Sequence, residues 1–171
     1  MKIYSFCMLF LSCTLNLLGQ DKTDSLIVVE NLGGTIEYSY QDINVISGGL
    51  NFCIGTAKDK SSKGTNFYSV EALYSGIIKQ GNYYNGFKGG FNYNYTGNKG
   101  IGVSSSLHCL FYKQNILLTP SIGISYFGFI TLEYGYSFKL TQSINGEKYT
   151  PHQIGIKVFL NKALALMFKA V

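Results

Sequence analysis

From Ile130 to Thr141 the chain alternates with a period of two. Ile130, Leu132, Tyr134, Tyr136, Phe138 and Leu140 share one set of positions; Thr131, Glu133, Gly135, Ser137, Lys139 and Thr141 share the other. Successive side chains of a strand point to opposite faces, so the run reads as a strand with one apolar and one polar face. The pattern recurs at Ile101–Tyr112, Ile116–Phe127 and Gln153–Leu160. It recurs more noisily around Ile36–Tyr40, Ile46–Gly55, Tyr68–Ser75 and Phe87–Tyr95. That makes about eight strands, the smallest usual size of a closed membrane barrel, with runs near the ~9–11 residues a tilted strand needs to cross a bilayer.

The connections read as turns: Gln41-Asp42, Gln80-Gly81-Asn82, Thr96-Gly97-Asn98-Lys99, Lys113-Gln114-Asn115 and Phe127-Gly128. Two are longer, Ala57–Thr65 and Gln142–Thr150, the second containing Asn145-Gly146. Pro120 conflicts with a central strand, so that strand is expected to begin near Ser121 or to carry a bulge. With eight strands and a periplasmic N-terminus, the Ala57–Thr65 connection would face the periplasm, where turns are usually short.

The polar face decides which side is inside. A soluble barrel's exterior should be rich in Lys, Glu, Asp and Thr. Here that face is mostly Gly and Ser, and charged residues are only 13% of the chain, about half the usual share. Small side chains suit the interior of a narrow barrel. Glu37, Glu71 and Glu133 share the polar face with Lys88, Lys139 and Lys157, a balance of three carboxylates and three amines that an enclosed interior requires. His108 joins this interior set. The other face is rich in Tyr and Phe, which suits lipid contact and interfacial girdles. A lipocalin-like soluble barrel, with the apolar face inside, is the rival reading.

The N-terminus reads as an export signal. Met1-Lys2 is basic, Ile3–Leu18 is largely apolar, and Gly19-Gln20-Asp21-Lys22 turns polar. Cleavage fits after Gly19 or Gln20; a second reading takes Leu11-Ser12-Cys13 as a lipoprotein box with Cys13 lipidated. The organisation expected is a signal peptide over 1–19, an N-terminal arm over 20–33, a barrel over 34–161 and a tail over 162–171. In that tail Leu164, Met167 and Phe168 fall at helical spacing. Of four cysteines, Cys7 and Cys13 lie in the leader, and Cys53 and Cys109 fall on opposite faces of their strands, so no bridge is expected. Those two cysteines with His108 and His152 show no metal-ligand spacing, and no cofactor is implied. The net charge is +5, but the lysines are dispersed and no basic stripe with interleaved aromatics marks a nucleic-acid partner.

Leader, strand count and alternation together resemble the small outer-membrane β-barrels of the OmpA/OmpX-like group over roughly residues 34–161. The last strand, Gln153-Ile154-Gly155-Ile156-Lys157-Val158-Phe159-Leu160, resembles the signal read by the barrel assembly machinery, with Gln153, Gly155, Val158 and Leu160 in the recognised places. The family signal commonly ends the chain on an aromatic residue, whereas here Asn161–Val171 follows. The resemblance implies an all-β, closed, antiparallel, up-and-down transmembrane barrel. It also implies outer-membrane lipid and the assembly machinery as partners, a monomer, and a plugged polar interior without an active site. The enzymatic alternative is a lipid A deacylase-like hydrolase. Such an enzyme needs a nucleophile beside a base. Ser106 and His108 point the same way on one strand, but inward and in the reverse of that family's order.

Overall fold

The computed structural model of the chain describes residues 27–57, 64–97, 99–141 and 150–160. The expected signal peptide, the tail over 162–171 and the Asn145-Gly146 turn lie outside these residues. Among the described residues there are nine strands and no helix: β1 (Ile27–Tyr40), β2 (Asn44–Ala57), β3 (Gly64–Lys79), β4 (Asn82–Gly97), β5 (Ile101–Tyr112), β6 (Asn115–Tyr126), β7 (Ile130–Tyr136), β8 (Phe138–Lys139) and β9 (His152–Leu160). Each pairs antiparallel with its neighbours, β5 pairs with β6, and β9 returns to β1, so the sheet closes on itself. β7 and β8 are one stave. Both keep the same register on β6, and the β9 side of the gap is continued by the Ser137 N–H donating to Pro151 O at 2.7 Å. The fold is thus the eight-stranded up-and-down barrel that the alternation predicts.

The register fixes the barrel's width. Ile156 pairs with Tyr38 on one side. On the other, the paired residues run through Leu132, Ile124, Val103, Tyr95, Asn66 and Thr56 to Val28, ten residues short of Tyr38. Eight strands with that offset tilt by about 40° and enclose a wall of about 8 Å radius, which side chains can fill.

The first strand begins at Ile27, seven residues before the expected barrel boundary at 34. Ile27–Gly33 pairs with Asn51–Ala57 of β2. The stretch Glu30-Asn31-Leu32-Gly33-Gly34 interrupts the alternation and hides the strand from a periodicity reading. Pro120 also departs from expectation. β6 runs through it without a bulge, with Pro120 opposite Leu107. A proline gives no N–H to the ladder. On the other side the β6–β7 ladder stops at Ser121 and resumes at Leu118, which is where the β7–β8 gap falls. Thr119 Oγ1 and Ser137 Oγ, 2.7 Å apart, hydrogen-bond across that gap.

Turns close the staves tightly. Lys79 pairs with Asn82, leaving Gln80 and Gly81 as a two-residue loop with φ of 49° and 77°. Both φ values being positive is the turn geometry whose twist matches that of the strands, and glycine meets it without a Cβ clash. At the same rim Gln41 Nε2 donates to Thr150 O, and the Thr150 N–H donates to Asp42 Oδ2 at 2.8 Å.

Thr119→Val should remove the side-chain bond that spans the proline gap while keeping shape. The expected loss is about 1 kcal/mol, more if Ser137 Oγ is left unpaired, read as a lower urea midpoint of the folded barrel. A midpoint equal to wild type would show that the hydroxyl pair does not support the ladder there.

Candidate functional site

Polar-parity side chains fill the interior in three layers. Near the rim that holds the Gln80-Gly81 turn, Ile43, Val45, Ile77, Leu110, Tyr112 and Leu117 form a buried apolar cap, with Tyr84 packed on it. At the opposite rim Cys53, Phe67 and Phe159, with Phe129 against them, form a second cap. Between the caps lies a cluster of charge: Glu37, Glu71, Lys88, His108, Glu133 and Lys157, all buried.

Lys157 is the hub. Its Nζ donates to Asn92 Oδ1 at 2.7 Å and lies 3.0 Å from His108 Nε2, 3.4 Å from Glu71 Oε2, 3.7 Å from Glu133 Oε1 and 3.9 Å from Glu37 Oε2. Lys88 makes a direct ion pair with Glu37 Oε1. An ammonium has only donors, so the contact with His108 Nε2 uses that nitrogen's lone pair. The Nδ1–H then faces Ser106 Oγ at 3.4 Å. Glu133 Oε2 accepts from Ser121 Oγ at 3.0 Å and Ser106 Oγ at 3.2 Å. Thr35 Oγ1 donates to Glu71 Oε1 at 3.5 Å and accepts from Asn51 Nδ2 at 2.6 Å.

Glycines make the room. A Cβ at residue 90 would collide with the His108 ring, with Nε2 only 2.8 Å away. Gly155 lies opposite Glu133 on one side and Ser39 on the other. The small residues and the long charged ones are therefore complementary across neighbouring strands, as tight packing of a narrow interior requires.

The structure brings together Glu37, Glu71, Lys88, His108, Glu133 and Lys157 from the residues expected inside. It sets Lys139 apart. Lys139 has the inward parity but sits at the rim in β8, half-buried, outside this cluster. The reason is height: parity gives the side, whereas position along the strand decides whether a side chain reaches the middle. His108 fills the place next to the carboxylates that the sequence assigned to a third amine. Asn92, Ser106, Ser121, Thr35 and Asn51 also belong to the network; their shared parity with the charged residues was the available signal. In the last strand Gln153 and Gly155 face inward, with Gln153 Oε1 accepting from Ser137 Oγ at 3.3 Å, while Val158 and Leu160 lie on the outward face.

Glu37, Glu71 and His108 each offer a ligand atom within 4.8 Å of the others. Lys157 Nζ stands within 4 Å of a side-chain ligand atom of each of these three residues, so the chain's own ammonium lies among them where a cation would sit. Cys53 lies in one cap, Cys109 points outward and His152 sits on the outer face at a rim, so they do not converge with His108. Ser106 and His108 are near each other, but the Ser106 hydroxyl is engaged by Ser121 and Glu133, and both residues are sealed between the caps. The cavity beside the cluster is ≈ 10 Å³, bordered by Lys88, His108, Thr119 and Gln153. That is room for about one water.

The outer face is the inverse of the interior. Among the described residues 28 large hydrophobic side chains are exposed, and from Leu32 onward no outward-facing strand position carries Asp, Glu, Lys or Arg. Aliphatics such as Ile36, Leu50, Ile122, Leu132 and Ile156 lie at mid-height. Tyrosines gather toward the ends: Tyr40, Tyr83 and Tyr136 at one, Tyr68, Tyr95 and Tyr126 at the other. Three outward polar groups near the rims are tied to phenols. The Tyr38 hydroxyl donates to Asn44 Oδ1 at 2.6 Å, Tyr93 to Asn66 Oδ1 at 3.0 Å, and the Tyr134 hydroxyl lies 2.5 Å from His152 Nδ1. No protein-family model, curated protein or solved structure matches this chain.

Lys157→Met should destabilise the barrel by about 3–5 kcal/mol, because three carboxylates lose their shared cation in a buried site. Adding Glu71→Gln should restore part of the loss by removing one stranded charge. Urea midpoints of the single and double variants measure this. A double variant no more stable than Lys157→Met would refute the hub role.

Proposed function

We propose that this chain is an integral β-barrel of a bacterial outer membrane, exported by a cleaved signal peptide and acting as a monomer. Its role is structural or surface-interacting, and it is non-enzymatic. The observation that carries this reading is the inversion of polarity: a wall whose outward strand positions from Leu32 onward carry no charge, enclosing a filled and charged interior. Exposed apolar patches on soluble monomers seldom exceed a few hundred Å². Here the apolar surface runs around the whole barrel. The outward apolar band spans about ten residues along strands tilted by about 40°, a height of about 25 Å, which matches the hydrocarbon band of known membrane barrels. The tyrosines near both rims suit the two water–lipid boundaries.

A soluble carrier reading would need an apolar cavity for its ligand, and the interior holds an ion cluster between two packed caps instead. The same filling argues against a conducting pore. Of the expected partners, lipid follows from the outer face. The assembly machinery follows from the resemblance of β9 to its signal, and the OmpA/OmpX-like group is the family likeness this reading adopts. With both termini in the periplasm, the Gln80-Gly81 and Lys113-Gln114 turns and the 140–151 connection would meet the exterior, where a partner would find them.

Two measurements test the reading. In membranes from an expressing Gram-negative host, the chain should resist urea extraction and migrate differently in gels before and after boiling. Release by urea, or one unshifted band, would sink it. Leu132→Arg at mid-height should cost about 2–4 kcal/mol in lipid vesicles. The same change on a water-facing wall would stay within about 0.5 kcal/mol.

A further inference from the structure

The chain has two prolines, and both oppose the same stave. On the β6 side the Leu140 N–H donates to Ile116 O at 2.9 Å, and Phe138 pairs with Leu118. Two residues further along that register Pro120 stands opposite Tyr136, with no N–H to give the Tyr136 carbonyl. On the β9 side the Ser137 N–H donates to Pro151 O at 2.7 Å. Antiparallel ladders are built from reciprocal bonds, and here the return bond is missing because Pro151 also lacks an N–H. Two consecutive carbonyls, Tyr136 toward β6 and Ser137 toward β9, therefore have no ladder donor. Thr150, next to Pro151, has its N–H on Asp42 Oδ2 and its carbonyl on Gln41 Nε2, at the turn between β1 and β2. By contrast, the ladders that join β1 to β2, β2 to β3, β3 to β4, β4 to β5 and β5 to β6 run without a break.

Side chains close this seam. The Thr119 and Ser137 hydroxyls, 2.7 Å apart, span it, and Ser137 Oγ reaches Gln153 Oε1 at 3.3 Å. Thr119 and Gln153 also border the ≈ 10 Å³ cavity that lies between the cap holding Leu110 and Leu117 and the charged Lys88 and His108. The weakest part of the wall thus stands directly over the space that has room for about one water. We propose that the seam flanked by Pro120 and Pro151 is a lateral hatch, through which this cavity exchanges its water. Opening needs no cap to move. The stave swings at Tyr136–Ser137, Ser137 leaves Thr119 and Gln153, and their polar groups line the gap. Local opening of this kind is drawn from the parts of a structure with the fewest backbone bonds. The hatch leads to a space for one water and ends there, so it hydrates the Lys88 and His108 side of the cluster without making a passage. The seam lies in the wall whether that wall meets lipid or water, and Tyr136 sets it at the level of the rim tyrosines.

Ser39→Cys reports on the hatch, because Ser39 is buried, borders the cavity and takes no part in closing the seam. Ser125→Cys is the reference: Ser125 is buried on β6 near the opposite rim, and its hydroxyl has no hydrogen bond to lose. The folded full chain is treated with a small methanethiosulfonate, and labelling is read residue by residue from peptide masses, so the native cysteines stay. The Ser39→Cys thiol should react faster than the Ser125→Cys thiol. Adding Pro120→Ala, which supplies an N–H for Tyr136 O, should slow the Ser39→Cys thiol about fivefold and leave the Ser125→Cys thiol unchanged. A Ser39→Cys rate no higher than the Ser125→Cys rate would mean that the barrel opens as a whole. A rate unmoved by Pro120→Ala would place entry at the mouth. Either result overturns the hatch. Should the cysteine variants fail to fold, amide exchange on the chain with its native cysteines and serines decides. The Ser137 and Phe138 amides should exchange faster than those of Leu132 and Tyr134 on the same stave, and Pro120→Ala should slow them. Even protection along the stave, or exchange that Pro120→Ala leaves unchanged, would overturn it.

Discussion

Lys157 carries its charge where water cannot reach, and the arrangement of the barrel's middle answers that one requirement. A buried ammonium demands acceptors on every side. Glu37 comes from β1, Glu71 from β3, Asn92 from β4, His108 from β5 and Glu133 from β7. β6 enters one contact further out, through Ser121 on Glu133, and β2 two, through Asn51 on Thr35 and Thr35 on Glu71. Each of the eight staves therefore places a side chain in one network. Strand pairing alone permits slippage, because backbone hydrogen bonds are alike at every register. Slipping any stave by one residue would swing its member of the network onto the apolar outer face. The cluster's value is then less its net energy, which burial largely cancels, than the single closure it permits.

The alternation made the strands readable, and it did so because each stave has two distinct environments. In Ile130–Thr141 the outward residues are all large and apolar while the inward ones are small or charged, so the period stands out. Parity misleads where the inward environment changes along the strand. Ile43, Val45, Ile77, Leu110 and Leu117 have inward parity but are apolar, and in sequence they look like defects in the pattern. They are the cap. Ile27–Gly33 was illegible for the opposite reason: its glycine and its polar residues leave no period to count, and pairing with β2 makes it a strand. Lys139 shows the remaining limit. Its side was readable, but its height depends on how far each stave is displaced from the next, and that offset of ten residues around the barrel is a property of the closed sheet. Local register, in contrast, sets His108 beside Glu71, since Gly90 of β4 pairs with both.

The caps explain how such a cluster tolerates being built at all. An ion network open to water at either end would be screened and would lose its hold on register. Phe67 and Phe159 at one end, and Leu110, Leu117 and Tyr112 at the other, close it off, leaving space for about one water. Sealing raises the cost of any unpaired member, and Glu37 Oε2 and Glu71 Oε2, which have no hydrogen bond, are held by the Lys157 ammonium at 3.9 and 3.4 Å. Among the described residues an interior organised this way leaves no passage without dismantling a cap.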